Sequence, residues 1–215
     1  MKLQGKRIAF LGDSITFGHG TTQNCMRFTD RIALQQGCTT YNHGVNGTRF
    51  AVQRHADSED AQGFYRRLFD LPQDVDCVVV FGGTNDYGHG DAPLGTFADR
   101  TPATFYGACH FIMRSLLEKY VSVPLVFLTP LHRVQEDVSL DPRKAGSSAS
   151  LADYRAIIQE VATYYALPVL DLYATSGIQP CVPAIAQALC PDGLHPNDDG
   201  HALLTERITQ FLLAL

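Results

Sequence analysis

A serine follows a short apolar run near the start of the chain, in the stretch Gly12-Asp13-Ser14-Ile15-Thr16. The run from Ile8 to Leu11 is typical of a buried strand, and the glycine after it predicts a turn at the strand's carboxyl end. Ligands bind at this end of the strands in open α/β sheets. Ser14 is therefore a candidate nucleophile, although Asp and Ser at these positions also suit an ordinary turn or a helix N-cap.

A serine hydroxyl needs a base to take its proton, and the usual base is a histidine held by a carboxylate. The stretch Asp192-Gly193-Leu194-His195-Pro196 supplies both groups within one glycine-containing turn. In such a turn Asp192 can accept from Nδ1–H of His195 while Nε2 faces outward. Taken alone, the same pattern is more typical of a surface turn that leads into a helix capped by Asn197 or Asp198.

The tetrahedral intermediate of acyl transfer also needs hydrogen-bond donors for its oxyanion. Asn85 follows the clearest strand pattern of the chain on a Gly-Gly-Thr approach, and its side-chain amide can donate. Gly47 follows another predicted strand and can present a bare N–H. Each of the two residues also suits an ordinary turn, which is the competing interpretation.

Strand and helix patterns alternate along the chain, which favours parallel βαβ units with helices on both faces of one sheet. Apolar runs predict strands at 8–11, 38–42, 76–81, 124–128 and 168–172. Helical periodicity predicts helices at 27–36, 59–70, 103–120 and 150–165, and one of about 15 residues after Pro196. Residues 15–26 are expected to form a loop, and 133–147 a polar, flexible one. Parallel strands would bring Ser14, Gly47, Asn85 and the loop 129–132 to the same sheet edge.

Together the four segments resemble the SGNH, or GDSL-type, hydrolase superfamily. The resemblance rests on Gly-Asp-Ser-Ile-Thr at 12–16, Asn-His-Gly-Val-Asn-Gly at 42–47, Gly-Thr-Asn-Asp at 83–86 and Asp-Gly-Leu-His-Pro at 192–196. It implies a catalytic triad of Ser14, Asp192 and His195. It also implies an oxyanion hole made by the N–H groups of Ser14 and Gly47 and the amide of Asn85. The second of the four blocks is the least specific match.

The resemblance further implies a three-layer α/β/α, flavodoxin-like fold and hydrolysis of carboxylic esters or thioesters with no metal and no cofactor. No long apolar lid is evident in the sequence. We therefore expect a serine esterase that acts on small-molecule esters of short acyl groups, with O-acetyl groups on carbohydrates as one option. Acyl-thioesters and lysophospholipids are the alternative substrates.

Two other kinds of protein are alternatives to a serine esterase: a metal-dependent enzyme and a binding module without catalysis. A metal-dependent phosphoesterase would need clustered Asp and His ligands at the strand ends, whereas Ser14 and Thr16 occupy the first turn. A sugar- or nucleotide-binding module is the rival without catalysis. Neither G-x-G-x-x-G nor G-x-x-x-x-G-K-[ST] occurs, so phosphate binding by a glycine-rich loop is poorly supported.

Composition favours one globular domain over residues 1–215, with 45% apolar and 18% charged residues. The net charge of −5 and the lack of a basic block argue against a nucleic-acid partner. No segment predicts a signal peptide or membrane insertion, so we expect a cytoplasmic protein. Its six cysteines are then expected to be free, although Cys181 and Cys190 would suit a bridge in an oxidising compartment. The oligomeric state stays open.

Other polar residues are secondary candidates. Asp13 is interpreted as a hydrogen-bond acceptor that holds the loop of the nucleophile, and His201 as a structural residue of the last helix. Loop residues that are candidates for substrate contact are His43, His89, His132, Arg49 and Arg133.

Overall fold

A parallel five-stranded sheet forms the centre of the protein, whose computed structural model describes residues 1–55, 60–137 and 149–215. The strands are β1 (Arg7–Gly12), β2 (Thr39–Gly44), β3 (Cys77–Phe81), β4 (Leu125–Leu128) and β5 (Val169–Leu170). Their order across the sheet is β2-β1-β3-β4-β5, and every neighbouring pair is parallel. In register, Phe10 lies between Asn42 and Val79.

Helices cover both faces of this sheet, which confirms the expected three-layer α/β/α, flavodoxin-like fold. Short 3₁₀ helices lie at Asn24–Met26, Asp60–Gln62 and Leu68–Asp70. The α-helices of the described residues are α1 (Ser14–Phe17), α2 (Phe28–Gln36), α3 (Phe64–Arg67), α4 (Thr84–Gly88), α5 (Phe105–Lys119), α6 (Leu151–Tyr164), α7 (Leu172–Thr175), α8 (Pro183–Leu189) and α9 (Asp198–Ala214).

Two apolar cores separate the layers because successive strand residues point to opposite faces. Ala9 and Leu11 of β1 belong to the core that includes α5 and α6. Ile8 and Phe10 belong to the core that includes α2 and α9. The central strands β1 and β3 are therefore buried on both sides, which explains their continuous apolar sequences.

Several expected elements differ in the structure. The helix expected over 59–70 is broken at Gly63 into a 3₁₀ turn, α3 and a second 3₁₀ turn, and its first residue lies outside the described residues. Within the expected loop 15–26, Ser14–Phe17 is one helical turn, which Asp13 caps. The helices α4, α7 and α8 were not predicted because all are seven residues or shorter and carry little periodicity. Of the loop expected at 133–147, residues 138–147 lie outside the described residues.

All six cysteines are free thiols, with Cys181 exposed and Cys190 buried. Burial raises the pKa of the Cys190 thiol to about 12. Among the described residues, none of the helices has the length and apolar character that crossing a membrane requires.

Candidate active site

The candidate nucleophile lies where β1 ends and α1 begins. Asp13 caps this turn, since its Oδ1 accepts from the N–H of Ile15 at 3.0 Å. Burial raises the pKa of Asp13 to about 7, against the hydrogen bond from Ile15 and the positive charge of Arg67. Ser14 is only 5% exposed, so the carboxyl end of β1 holds its hydroxyl in a nearly buried position.

A continuous hydrogen-bond chain joins Ser14 to the turn near the end of the sequence. Ser14 Oγ lies 3.0 Å from Nε2 of His195, although 181 residues separate them in the chain. On the other side of the ring, His195 Nδ1 lies 2.7 Å from Oδ2 of Asp192. The structure thus brings together the three residues that the sequence predicted as a catalytic triad.

Local backbone geometry shapes the Asp192–His195 turn. Asp192 Oδ1 accepts from the backbone N–H groups of Leu194 at 2.9 Å and His195 at 2.7 Å, which leaves Oδ2 for the imidazole. Gly193 has a φ of +77°, and a Cβ at this position would lie 2.7 Å from Cγ2 of Val134. The turn therefore requires glycine, both for its backbone conformation and for the close approach of Val134.

The charges of this turn suit a neutral base. The pKa of Asp192 lies below its ordinary value: burial acts to raise it, but hydrogen bonds from the backbone and ring of His195 outweigh that effect. Burial lowers the pKa of His195, with Asp192 acting in the opposite direction. An ionised Asp192 holds the proton on Nδ1, so Nε2 presents its lone pair to the hydroxyl of Ser14.

Asn85 lies in the short helix α4, which follows β3, and it is 4% exposed. Its Nδ2 donates to the carbonyl of Thr48 at 3.1 Å. This bond identifies the NH₂ end of the amide and leaves that group a second hydrogen to donate. Gly47 follows β2 and lines the same pocket as Asn85. Its φ is +73°.

Of the predicted site residues, Ser14, Gly47, Asn85 and His195 line one pocket of about 220 Å³. Asp192 is not part of this lining and reaches the pocket through its hydrogen bond to His195. The lining also includes His19, whose ring centroid lies 4.3 Å from that of His195. The sequence reasoning missed this contact because nothing in a lone loop histidine indicates which ring it will meet. The pocket is lined by Ser14, His19, Asn46, Gly47, Asn85, His89, Leu194 and His195.

The secondary candidates divide between the pocket and its surroundings. His89 lines the pocket, and its Nδ1 lies 3.0 Å from Nη1 of Arg49. His132 lies 2.7 Å from the Glu136 carboxylate. Arg133 donates to the carbonyl of Thr84, the first residue of α4, at 3.2 Å. His201 is fully buried, and its Nδ1 accepts from the N–H of Phe28.

Two further contacts hold the loops of the site and were not predicted. Asp86 accepts from the backbone N–H groups of Phe50 and Ala51, each at 2.9 Å, and so ties α4 to the segment after Gly47. The N–H of Val134 donates to the carbonyl of Gly193 at 2.9 Å and stabilises the Asp192–His195 turn. Both contacts join segments far apart in sequence, which is why no local pattern indicates them.

One group of potential metal ligands occurs among the described residues. His19, Asp192 and His195 place ligand atoms within 4.8 Å of one another. Two imidazoles and a carboxylate are a donor set that zinc accepts. However, Asp192 and His195 already share their 2.7 Å hydrogen bond, and a metal between these atoms would have to displace it.

The sequence profile of the GDSL-like Lipase/Acylhydrolase family matches residues 10–203, which include every residue of the predicted triad and oxyanion hole. The chain belongs to this family. Membership identifies it as a hydrolase and accounts for the four sequence blocks that meet in the pocket.

Solved structures resemble this GDSL hydrolase over nearly its whole length. A protein from Lactobacillus plantarum is 30% identical with a TM-score of 0.83, and the alignment covers 99% of this chain and 98% of that one. A lipase/acylhydrolase from Enterococcus faecalis is 22% identical with a TM-score of 0.61, covering 96% and 95%. A two-domain esterase active on acetylated mannans is 23% identical with a TM-score of 0.66, covering 97% of this chain and 49% of that one. No functionally curated protein matches the chain.

Proposed function

We propose that this GDSL hydrolase is a serine esterase that cleaves carboxylic esters of small acyl groups through an acyl-enzyme intermediate. The observation that carries the proposal is the hydrogen-bond chain from Ser14 through His195 to Asp192, beside the amide of Asn85. This arrangement combines a nucleophile, a base, a carboxylate that orients the base, and an oxyanion donor.

In the acylation step, Nε2 of His195 takes the proton of Ser14 while Oγ attacks the ester carbonyl. The negative charge that develops on the carbonyl oxygen is stabilised by the N–H groups of Ser14 and Gly47 and by the amide of Asn85. His195 then gives its proton to the leaving alkoxide, the carbon–oxygen bond breaks, and the acyl group stays on Ser14.

In the deacylation step, water takes the place of the alcohol. Nε2 of His195 removes one proton from the water, whose oxygen attacks the acyl carbonyl in the same oxyanion hole. The carboxylic acid leaves when the proton returns to Ser14 Oγ. The residues of the chain supply every proton transfer, and this mechanism requires no metal or cofactor.

The size of the pocket supports a short acyl group. Its volume of about 220 Å³ is small beside the roughly 300 to 1,000 Å³ of typical ligand pockets. The similar two-domain esterase is active on acetylated mannans, so acetylated oligosaccharides belong among the first substrates to test. Acyl-thioesters and long-chain esters are the competing substrates.

A panel of p-nitrophenyl esters tests the acyl preference. We expect acetyl and butyryl esters to be cleaved faster than decanoyl esters, because burial of a long chain at about 0.8 kcal/mol per CH₂ needs an apolar surface that this pocket is too small to offer. Acetylated manno-oligosaccharides and acyl-thioesters complete the panel, each with and without EDTA. Rates that rise with chain length, or that EDTA abolishes, would contradict the proposal.

The nucleophile is tested in the same assay. Ser14→Ala should lower kcat by a factor of about 10³ to 10⁶ and abolish labelling by a fluorophosphonate. The matched control is Ser122→Ala, which changes an exposed serine in the loop between α5 and β4. This variant should retain full activity. Labelling of the Ser14→Ala protein at the wild-type level would place the nucleophile elsewhere.

A further inference from the structure

Arg67 is a buried cation behind the pocket, outside the four sequence blocks. It ends the short helix α3, and it is 8% exposed. Burial lowers the pKa of Arg67 to about 10, with Asp13 and Asp70 acting in the opposite direction, so the guanidinium stays charged at neutral pH. Burying a charged group costs free energy unless its donors make hydrogen bonds. The partners of these hydrogen bonds therefore show which segments the guanidinium of Arg67 holds in place.

The guanidinium joins the ends of two neighbouring strands. Its Nη2 donates to the carbonyl of Gly12, the last residue of β1, at 3.0 Å. Its Nη1 donates to the carbonyl of His43 in β2 at 2.5 Å. Gly12 lies two residues before Ser14, and His43 four residues before Gly47. Arg67 therefore bridges the two strands that carry the backbone donors of the oxyanion hole.

The same guanidinium also reaches the loop that positions the third donor. Nη2 donates to Oγ1 of Thr48 at 2.8 Å, and that hydroxyl donates to the carbonyl of Val45 at 2.8 Å. The backbone carbonyl of Thr48 accepts from Nδ2 of Asn85. The turn that contains Gly47 and the orientation of the Asn85 amide thus depend on one residue, Thr48, which Arg67 holds.

We propose that Arg67 is the positioning residue of the oxyanion hole: its guanidinium sets the separation of the Ser14, Gly47 and Asn85 donors through Gly12, His43 and Thr48. Arg67 is not among the residues that line the pocket, so its role is to position other groups. Its fourth donor, Nε, binds the carbonyl of Gln62 at 2.6 Å and fixes the plane of the group. A planar fork with five N–H donors can join three segments at set directions, whereas the ammonium of a lysine is a point charge on a flexible stem.

The inference rests on the proposed esterase function, and it predicts a specific kinetic defect. Oxyanion donors act on charge that exists only after attack, so misplacing them should lower kcat and leave KM nearly unchanged. We expect Arg67→Lys to lower kcat by about 10- to 100-fold, because displacement by about 1 Å costs that much in a preorganised site. The inhibition constant of a trifluoromethyl ketone, whose hemiketal adduct with Ser14 mimics the tetrahedral oxyanion, should rise by a similar factor.

Chemical rescue separates positioning from general stability. In Arg67→Ala, millimolar methylguanidinium should restore part of kcat, whereas methylammonium at the same concentration should not. Arg66→Lys is the matched control, because Arg66 precedes Arg67 on α3 but directs its Nε to the hydroxyl of Tyr65 at 3.0 Å. Rates are expressed per active site, counted by fluorophosphonate labelling, so that loss of folded protein does not count as loss of kcat.

Arg67→Lys with kcat and ketone inhibition within about threefold of wild type would overturn the inference, whatever its melting temperature. If Arg67→Ala does not fold, Arg67→Lys decides the question. Equal rescue of Arg67→Ala by both cations would also overturn it, since a positioning role depends on the shape of the guanidinium. A wild-type protein without turnover or labelling would instead overturn the esterase function itself, while an active wild type with unaffected variants removes only the role of Arg67.

Discussion

The two sides of the candidate site are held by different kinds of structure. Ser14 and Asn85 lie just beyond the carboxyl ends of the central strands β1 and β3, and they are 5% and 4% exposed. The carboxylate of Asp192 lies on a surface turn with half of its side chain exposed. Contacts between segments far apart in sequence position Asn85. The Asp192–His195 turn is instead held mainly by hydrogen bonds among its own four residues.

This contrast predicts different consequences of substitution. A change on the sheet side should disturb both catalysis and folding, because a buried polar partner is left without its hydrogen bond. A change in the turn should disturb catalysis alone, because water replaces what is lost at an exposed position. Activity and stability measured together therefore test whether the two sides differ as the structure indicates.

Among the variants that test this contrast, the one in the turn should have the largest effect. Asp192→Asn should lower kcat by about 10⁴-fold, because an amide beside Nδ1 favours the wrong tautomer of His195. The Asn oxygen can still accept from the backbone N–H groups of the turn, so the melting temperature should change little. Asp199→Asn, at an exposed position in the first turn of α9, is the matched control. A large drop in melting temperature, or a loss in kcat below about tenfold, would contradict the contrast.

The pH profile gives a second measure of the same variant. Only neutral His195 can act as a base, and burial lowers its pKa from the ordinary value of 6.5. In the wild type, kcat/KM should therefore be constant at neutral pH and fall on the acid side with an apparent pKa below 6.5. Asp192 acts to raise that pKa, so the acid limb of Asp192→Asn should move to still lower pH. A shift to higher pH would contradict the charge assignment.

The next effect belongs to the sheet side. Asn85→Ala should lower kcat by about 10² to 10³, or roughly 3 to 4 kcal/mol, with little change in KM. It should also lower the melting temperature, because the buried carbonyl of Thr48 loses its donor. Asn85→Asp should be at least as damaging, since an ionised carboxylate cannot donate and would face the oxyanion.

The control for this pair of variants is Asn24→Ala, which changes an exposed asparagine in a 3₁₀ turn. It should leave kcat and melting temperature unchanged. A kcat of Asn85→Ala within about threefold of wild type would make Asn85 a structural residue and leave the oxyanion hole to backbone donors alone.

The last prediction concerns stability alone and the buried residue His201. His201 lies on α9, which follows the turn, and accepts from the N–H of Phe28 at the start of α2. Burial lowers the pKa of His201 from 6.5 to about 4. Between these pH values the unfolded chain binds the proton and the native state does not, so stability is lost as the pH falls from about 6.5 to about 4.

Over this pH range, protonation of His201 should lower the free energy of unfolding by about 3 kcal/mol, a figure taken from the difference between the two pKa values. Urea unfolding at several pH values should show the loss in the wild type. His201→Leu should be less stable near pH 7, because the N–H of Phe28 loses its acceptor, but its stability should depend less on pH in this window. An unchanged slope in the variant would assign the acid sensitivity to other groups.

Much of the fold was predictable because its signals are local. Each central strand is a continuous apolar run, as burial on both faces demands, and the long helices α5 and α6 carry clear periodicity. One helix was predicted over 59–70, whereas the described residues 60–70 form three short helical pieces, because Gly63 interrupts the helix.

The sequence by itself determined which residue types the candidate site contains, in four blocks, and the spacing that joins Asp192 to His195 within one turn. Tertiary structure decided what brings the blocks together. The 3.0 Å contact between Ser14 and His195 spans 181 residues, and the two segments meet because β1 and α9 contribute to the same apolar core. The contacts of Arg67, on which its proposed positioning role rests, could not be predicted from the sequence, because a charged residue in a helical pattern normally faces water. Only the packed structure shows that its guanidinium is turned inward to three backbone carbonyls and a threonine hydroxyl.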